Sequence, residues 1–337
     1  MKWFMIILVT IISGGCVSYK SDIVFQQEQF VHVEPLMETF LNIPLEMEKV
    51  GDDILISDFR GDSLLWCYNL KNNSSKQFLP YGEGPQDFLP PVQYFCDNSK
   101  ITVYNRWHYS LRYCTIDSLG VEVNRSVSVS TDIDMLYPLD ETFWIASGRF
   151  IDSRFVILDG DGKIISHCGD YPCYMTGEES IPNFPKFMFH QSMFGYQKEM
   201  ACLISVTGHV LELWNYHGKK LSLKQRKLLS PYVYQYKDGE YWASATPEPD
   251  VEKGVERIYC TDNNIYLLYN PNTHRQIFTK EDKLGSEVWI FDWNGKPKMK
   301  IMLDRKVICF CVDESEQNIY CIINNPDPTI GTFKCEL

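Results

Sequence analysis

The segment RFVILDGDGKIISHC (residues 154–168) contains two short apolar runs on either side of the polar turn DGDG. Asp or Asn at the start of a turn and Gly at its end are typical of β-hairpins, because Gly tolerates positive φ. Similar turns occur at NYHG (215–218) and DWNG (292–295), again between apolar runs. A hairpin with polar turn residues therefore repeats along this chain.

Aligning the short β runs reveals six copies of one unit. Their second strands are ILISDF (54–59), ITVYN (101–105), FWIAS (143–147), ACLIS (201–205), IYLLYN (265–270) and NIYCIIN (318–324). Each is followed by another strand, and a preceding strand such as VQYFCD (92–97) completes a four-stranded antiparallel meander. Four-stranded repeats of roughly 40–50 residues are typical of β-propellers. The sequence therefore predicts an all-β, six-bladed β-propeller of four-stranded antiparallel blades.

The sixth copy ends at GTFKCEL (331–337) and lacks a fourth strand. The segment QFVHVEPL (29–36) can supply that strand from the other end of the chain. Such pairing would close the ring and remove two exposed sheet edges. We predict one propeller domain over residues 29–337, with its last blade closed by the N-terminal strand.

The segment YGEGPQDF (81–88), between the first two blades, resembles the G-x-G-P-x-E/D-F motif of TolB-like six-bladed β-propeller lipoproteins of anaerobic Gram-negative gut bacteria. The motif residues in this sequence are Gly82, Gly84, Pro85, Asp87 and Phe88. The resemblance implies an exported propeller but little chemistry, because that family has no established common reaction. We expect the glycines and Pro85 to form a sharp turn that Phe88 anchors in the core.

The N-terminus has the pattern of an export signal. Lys2 precedes a run of about ten apolar residues, and Ser13, Gly14 and Gly15 lead to Cys16. This run is too short to cross a bilayer, which needs roughly 20 residues. The ending resembles a bacterial lipobox, although Ser13 stands where an aliphatic residue is preferred. We predict a lipoprotein signal peptide at 1–16 with lipid on Cys16, a tether at 17–28, and anchoring in the cell envelope, at the outer membrane; an ordinary signal peptide is the alternative.

Charge and composition restrict the partners and the chemistry. The net charge of −12 would repel phosphate backbones, so we expect no nucleic-acid binding. The sequence has no nucleophile elbow, zinc-protease motif or P-loop, and its seven histidines lack metal-ligand spacing, so we predict no cofactor and no metal site. The basic cluster is predicted to be a solvated face, with anionic lipid as the alternative contact; its members are Lys219, Lys220, Lys224, Arg226 and Lys227.

The twelve cysteines lie mostly inside apolar strands, where thiols pack as small hydrophobic groups. We therefore expect most of them to be reduced core residues. Cys168 and Cys173, in the segment HCGDYPC, form the pair that we consider for a local disulfide.

Loop lengths distinguish the two faces of the predicted ring. The first-to-second and third-to-fourth turns of each blade are tight, whereas the opposite face carries the long segments 169–187, 230–250 and 270–286. Long loops on a rigid face are where propellers usually bind ligands. The candidate ligand-binding residues on that face are Arg60, Arg106, Trp107, His108, Arg149 and Arg275. Arginines and aromatic rings suit an anionic or sugar-like ligand; the alternative is ion pairing with acidic neighbours between blades.

Three functions are compatible with these features. We favour a lipid-anchored module that binds a ligand or a protein partner. An envelope hydrolase or lyase acting on glycans or peptides would need carboxylates or histidines with shifted pKa values at the central channel. A purely structural component would have a filled channel.

Overall fold

The computed structural model describes residues 23–97, 100–117, 120–197, 199–239, 242–281, 285–324 and 326–337. These residues form a six-bladed propeller of antiparallel blades, which confirms the predicted fold class. Two N-terminal strands, β1 (Gln27–Val31) and β2 (Glu34–Glu38), precede the blades.

Blades 1 to 3 are consecutive four-stranded meanders whose first strand is innermost. Blade 1 contains β3 (Pro44–Val50), β4 (Asp53–Asp58), β5 (Ser63–Asn69) and β6 (Ser74–Pro80). Blade 2 contains β7 (Val92–Asp97), β8 (Lys100–Asn105), β9 (Ser110–Asp117) and β10 (Gly120–Ser128). Blade 3 contains β11 (Ile133–Pro138), β12 (Trp144–Gly148), β13 (Phe155–Leu158) and β14 (Ile164–Cys168).

Two insertions flank blade 4 on the face that carries the long loops. The first contains a 3-10 turn (Glu178–Ser180) and α1 (Asn183–Phe189). Blade 4 contains β15 (Ser192–Gln197), β16 (Met200–Ser205), β17 (Val210–His217) and β18 (Lys220–Leu228). The second insertion is a hairpin of β19 (Tyr234–Asp238) and β20 (Ala243–Pro247), on which α1 packs.

The last two blades complete the ring. Blade 5 contains β21 (Glu252–Cys260), β22 (Asn264–Thr273), β23 (Glu287–Asp292) and β24 (Pro297–Leu303), with α2 (His274–Phe278) between its second and third strands. Blade 6 contains β25 (Cys309–Val312), β26 (Asn318–Asn324) and β27 (Pro328–Lys334), and the N-terminal strand β2 is its fourth strand. Neither helix of the described residues has the length and apolar character that a membrane crossing requires.

The repeated polar turns fold as their composition predicts. In blade 3, Oδ1 of Asp159 accepts the backbone N–H groups of Asp161 and Lys163, both at 3.0 Å. Asp292 does the same in blade 5, accepting two backbone N–H groups at 2.8 Å. Gly295 in that turn has φ 70°, in the left-handed region that favours glycine. Aspartate and glycine thus stabilise the same turn in two blades.

The hydrophobic core lies between neighbouring blades. Leu55 and Phe78 of blade 1, for example, belong to one buried cluster with Tyr94 and Val103 of blade 2. Successive side chains of a strand point to opposite faces of its blade. Because each blade packs between two neighbours, it buries apolar residues on both faces. This packing couples the blades around the ring and makes closure energetically important.

The N-terminus closes the ring, as predicted, but with different strand bounds. Strand β2 pairs antiparallel with β27, with Glu34 opposite Thr332 and Glu38 opposite Thr329. Strand β1 instead pairs parallel with β24 on the outer edge of blade 5. The predicted single strand 29–36 is therefore two strands on two blades, and that boundary prediction is wrong.

A side chain from blade 5 separates these two strands. Oδ1 of Asp304 accepts the N–H of Val33 at 3.0 Å, and its Oδ2 lies 2.5 Å from Nδ1 of His32. Val33 itself is fully buried. The predicted tether 17–28 also ends earlier than expected, because Phe25 packs edge-on against Trp289 with ring centroids 5.3 Å apart. Residues 17–22 and the predicted signal peptide at 1–16 lie outside the described residues.

Removal of both N-terminal strands is expected to destabilise the propeller. A chain that begins at residue 39 loses β1, β2 and the buried side chain of Val33, whose burial alone is worth about 1.5–3 kcal/mol. Thermal unfolding should show a clearly lower melting temperature than for a chain that begins at residue 23. Equal melting temperatures would contradict a stabilising role for the closure.

Candidate functional site

A cavity of about 340 Å³ lies in the centre of the ring. Residues of the inner strands of all six blades line it, from β3, β7, β11, β15, β21 and β25. Its walls include aromatic side chains from several blades, among them Phe95, Phe194 and Phe310. The central channel is thus not filled by side chains, in contrast to what a purely structural propeller would show.

The cavity lies in the half of the channel nearer the tight turns. Each inner strand begins at the face with the long loops and ends at the face with the tight turns. Most of the lining residues come from the middle or final part of inner strands and from the start of second strands, including Cys96, Tyr196, Cys260, Ile145 and Ala201. Blade 6 instead contributes Cys309 and Phe310, the first two residues of β25. The channel cavity and the loop residues singled out from the sequence therefore lie towards opposite faces.

Glu46 and Arg257 both line this cavity. Nε of Arg257 donates to the carbonyl oxygen of Leu45 at 2.7 Å, and Nη1 donates to that of Glu256 at 2.6 Å. These two bonds fix the guanidinium group against the channel wall. Burial raises the pKa of Glu46, and the positive charge of Arg257 opposes this shift. Arg257 is thus the positive charge among the groups that shift the pKa of Glu46.

Glu48 has a different environment two residues further along β3. Burial raises its pKa to about 7, while hydrogen bonds from the thiol and the backbone N–H of Cys96 oppose the shift and the neighbouring charge of Glu46 adds to it. Residues two apart on a strand point to the same side, so both carboxylates lie on the face of blade 1 that is turned towards blade 2, and both line the cavity. Unlike Glu46, Glu48 has no cation among the groups that shift its pKa.

Glu46, Glu48 and Arg257 were not predicted from the sequence as site residues. The signal was present in the segment LEMEKV (45–50), where two glutamates alternate with apolar residues in an inner strand. Alternation in a strand normally indicates one face in solvent. In a propeller the side chains of an inner strand point alternately towards the two neighbouring blades, and beside the axis both sets border the channel. Glutamates at alternate positions of an inner strand therefore point to charges that line the channel.

The candidate residues predicted from the sequence all lie in connections on the face with long loops. Arg106 forms an ion pair with the buried carboxylate of Asp134 in blade 3. Burial raises the pKa of Asp134, and the charges of Arg106 and Arg149 oppose the shift. Arg149 also donates to the carbonyl oxygen of Thr131 at 3.3 Å. The ion pair of Arg106 matches the structural alternative, because it joins blades 2 and 3.

The other candidates lie apart from this pair. Arg275 pairs with Asp250 at 2.7 Å and 3.1 Å at an exposed site on α2. Nδ1 of His108 is 3.3 Å from Nη2 of Arg112. Trp107 is 63% exposed, and Arg60 lines a shallow depression beside Tyr81. The six residues therefore share a face, but no single described cavity contains them.

The family motif forms a compact turn. The N–H of Gly84 donates to Oδ2 of Asp87 at 2.9 Å, and the N–H of Gly82 donates to the carbonyl oxygen of Phe88 at 3.1 Å. A Cβ atom at Gly82 or Gly84 would lie 2.5 Å or 2.6 Å from that same carboxylate oxygen. Phe88 is fully buried beneath the guanidinium group of Arg112. The glycines are thus required by the aspartate that closes the turn.

A buried polar network beside blade 4 was not predicted from the sequence. Oγ of Ser205 is 2.8 Å from Nδ1 of His190, and Nε2 of His190 is 2.7 Å from Oε1 of Glu178. Glu178 also accepts hydrogen bonds from the hydroxyls of Tyr232 at 2.7 Å and Tyr234 at 3.1 Å. We call these five residues the insertion latch, because they join both insertions to blade 4.

The insertion latch has the Ser–His–Glu order of a nucleophilic triad. Its serine, histidine and glutamate are nevertheless buried, with exposures of 0%, 2% and 0%. Gly208 packs on the imidazole ring of His190. A Cβ atom at Gly208 would lie 2.3 Å from Nδ1 of His190 and 2.5 Å from Oγ of Ser205. No room is left for a substrate at the seryl oxygen, so the arrangement is structural.

Three members of the basic cluster, Lys224, Arg226 and Lys227, make specific polar contacts. Nε of Arg226 lies 2.5 Å from Oε1 of the buried Glu212. Lys224 donates to Oδ1 of Asn294 at 3.2 Å, and Lys227 donates to the carbonyl oxygen of Gly295 at 2.6 Å. Part of the cluster thus joins blade 4 to blade 5.

The cysteines of the described residues are all free, including Cys168 and Cys173. The thiol of Cys173 instead donates to the carbonyl oxygen of Tyr171 at 3.8 Å. Within the described ranges, no group of three or more His, Cys, Asp or Glu side chains could hold a metal ion.

Comparisons with solved structures bear on the fold. The chain is similar to a Bacteroides fragilis protein described as exported, with a TM-score of 0.56, 10% identity, and coverage of 92% of this chain and 99% of that one. It is also similar to a DUF4221-family protein of Bacteroides vulgatus, with a TM-score of 0.53, 12% identity, and coverage of 94% and 98%. Regucalcin of Agrobacterium tumefaciens, a calcium-binding protein, has a TM-score of 0.51, 9% identity, and coverage of 91% and 95%.

These identities show a shared fold and nothing finer. No curated protein matches the sequence. Residues 24–315 match the family described as "TolB-like 6-blade propeller-like", which covers most of the chain and agrees with its six blades. The chain belongs to the TolB-like six-bladed propeller family.

Proposed function

We propose that this protein is an exported, lipid-anchored module that binds a small ligand in its central channel. The observation that carries the proposal is the unfilled cavity of about 340 Å³ with charged side chains in its wall. Buried charges lower stability unless they are paired, so a propeller whose channel were only structural would fill it with apolar groups. A volume of a few hundred Å³ suits a small organic molecule.

Export and anchoring rest on the N-terminal sequence. The apolar run that ends in Ser-Gly-Gly-Cys supports export and a lipid on Cys16, and this lipid would anchor the protein in the cell envelope, at the outer membrane. The described chain starts near the outer edge of blade 5, where Val24 and Phe30 expose apolar side chains. Residues 17–22 reach at most about 20 Å, so this edge would stay close to the bilayer.

Lipidation is tested by metabolic labelling. Cells that express the wild-type protein should incorporate a fatty-acid probe into it, and Cys16→Ser should incorporate none. Cys173→Ser is the matched control, because Cys173 is an exposed thiol far from the signal sequence. Equal labelling of wild type and Cys16→Ser would contradict the anchor.

The position of the binding site is tested by comparing a variant in the channel with a variant on the loop face. A ligand-observed NMR screen of amines, carboxylates, monosaccharides and dipeptides would be run on the wild type and on Ile258→Trp, whose indole would occupy the cavity. Binding should be lost in Ile258→Trp and retained in Trp107→Ala, which alters the exposed loop face. Melting curves check that both variants remain folded.

The loop face is the second candidate site, for an anionic or sugar-like ligand or a protein partner. The exposed ring of Trp107, which follows Arg106 in the chain, supports it. The double variant Arg106→Ala/Arg149→Ala would then weaken binding by a few kcal/mol, as expected for charge-assisted hydrogen bonds. Binding that survives this double variant but not Ile258→Trp assigns the ligand to the channel.

An envelope hydrolase or lyase acting on glycans or peptides is the alternative function. The raised pKa of Glu48, at about 7, would suit a general acid or base near neutral pH, and Glu46 is a second carboxylate on the same strand face. Assays with chromogenic glycosides and peptide anilides would then show turnover in the wild type and none in Glu48→Gln. Binding without turnover supports the binding module.

A further inference from the structure

The charges in the channel do not balance. Of the described residues that line the cavity, Glu46, Glu48 and Arg257 are charged. Arg257 is held by two backbone carbonyl groups and acts on Glu46. Two carboxylates and one guanidinium group thus line the cavity, and Arg257 is among the groups that shift the pKa of Glu46 but not among those that shift the pKa of Glu48.

The groups that interact electrostatically with Glu48 are neutral or acidic, namely Glu46 from β3, Tyr94 and Cys96 from β7, Tyr259 from β21 and Cys311 from β25. Cys96 is the hydrogen-bond donor among them. Lys49, the next residue on β3, acts on Cys311, and its ammonium group lies 5.9 Å from the ring centre of Tyr320. A buried carboxylate in such surroundings is stabilised when a cation arrives.

The channel wall also suits the apolar part of a ligand. Phe95, Phe194 and Phe310 come from three different blades, and Met193 and Ile258 extend the apolar surface. Aromatic faces attract ammonium groups through cation–π interactions, and a thioether adapts to irregular shapes. The cavity therefore combines one unbalanced negative charge with aromatic and aliphatic walls.

We propose that the channel binds a small organic cation, an amine joined to an apolar or aromatic group, whose ammonium group pairs with Glu48. This inference rests on the proposed function, because it takes the channel as the ligand site. The amine would replace solvent at the carboxylate, and its apolar part would lie against the phenylalanine rings. The charge of Arg257 would continue to act on Glu46.

Binding should be linked to a proton. With a pKa near 7 in the free protein, Glu48 is partly protonated at neutral pH, and an ammonium ion favours its ionised form. Amine binding should therefore release a proton near pH 7 and should be tighter at pH 8 than at pH 5.

The test uses three probes of similar size on the purified protein at pH 8: phenethylamine, its neutral analogue 2-phenylethanol, and the anion 3-phenylpropionate. Isothermal titration calorimetry should show the amine binding roughly 10-fold to 100-fold more tightly than the alcohol, as expected for a charge-assisted contact. Glu48→Gln should remove this preference, and Glu122→Gln, which alters an exposed glutamate of blade 2, should retain it. Melting curves at pH 5, where Glu48 is protonated, check that Glu48→Gln is folded.

The outcomes separate this inference from the proposed function. If the alcohol or the anion binds as tightly as the amine, and Ile258→Trp abolishes that binding, the cation preference is wrong and the channel site stands. An amine preference that persists in Glu48→Gln overturns the role of Glu48. If none of the three probes binds at millimolar concentration, the cation proposal is refuted, while the wider ligand screen still tests the channel site.

Discussion

Replacing Glu212 with alanine is expected to lower the free energy of unfolding by about 3–5 kcal/mol, because it leaves a buried guanidinium group without its counter-charge. Nη1 of Arg154 donates to Oε2 of Glu212 at 2.6 Å, and the two side chains are 1% and 0% exposed. Nη2 of Arg154 donates to Oγ of Ser192 at 2.9 Å. Burial lowers the pKa of Arg154, and the charge of Glu212 opposes this shift.

Chemical denaturation measures this prediction directly. The matched control is Asp161→Ala, which removes the exposed ion pair with Arg125 and should cost less than about 1 kcal/mol. Replacing both members of the fully buried pair, as Arg154→Met/Glu212→Leu, should recover much of the lost stability, because the charge of Arg154 is removed together with its partner. Arg226 also loses Glu212 in this variant, but its side chain is 22% exposed and can reach water. A Glu212→Ala protein as stable as the control variant would show that Arg154 reaches solvent on losing its partner.

The hairpins and blade order could be predicted from sequence because their causes are local. The turn at Asp159 needs an aspartate to accept backbone N–H groups and a glycine to adopt positive φ, and both lie within four residues. Repetition of that pattern at Asp292 then reveals a repeating architecture. Local chemistry of this kind is visible in a single sequence.

Features fixed by distant residues could not be predicted in the same way. The break between β1 and β2 depends on Asp304, which lies 271 positions from Val33 along the chain. Nothing in the segment 29–36 reveals that partner. The closure itself could be inferred, because a missing strand at one terminus has an available match at the other.

The same distinction between local and distant causes applies to the candidate site residues. The predicted loop residues do share a face, since strand order alone determines that. To predict the channel charges, one must know which residues of an inner strand border the channel. To predict the ion pair between Arg106 and Asp134, one must know that blades 2 and 3 are in contact at these residues. Charge pairing across blades is a property of the folded ring.

The second large effect is expected at the insertion latch. Besides His190, Tyr232 and Tyr234, the carboxylate of Glu178 accepts the backbone N–H groups of Tyr174 at 2.8 Å and Met175 at 3.1 Å. Glu178→Ala leaves these buried donors unsatisfied, at about 1–3 kcal/mol for each one that finds no other partner. We expect the two insertions to open locally, because that exposes the donors to water without unfolding the blades.

Hydrogen exchange mass spectrometry should detect this opening. Protection should fall in residues 169–191 and 229–239 of Glu178→Ala and remain unchanged in blades 1 to 3. Glu179→Ala is the matched control, since Glu179 is the exposed neighbour in the same 3-10 turn. Loss of protection throughout the ring would instead show that the latch stabilises the whole propeller.

Acidification should weaken the same latch. Burial lowers the pKa of His190 below 6.5, and the neutral ring can accept from Ser205 while donating to Glu178. Burial alone would raise the pKa of Glu178, but its hydrogen bonds and the charge of His190 outweigh burial and hold it below 4.5. Both groups bind fewer protons in the folded state, so their contribution is complete above about pH 6.5 and decreases as the pH falls below that value. Protection of residues 169–191, corrected for intrinsic exchange, should therefore decline from pH 7 to pH 5 in the wild type; a pH-independent value would contradict a neutral His190 in the latch.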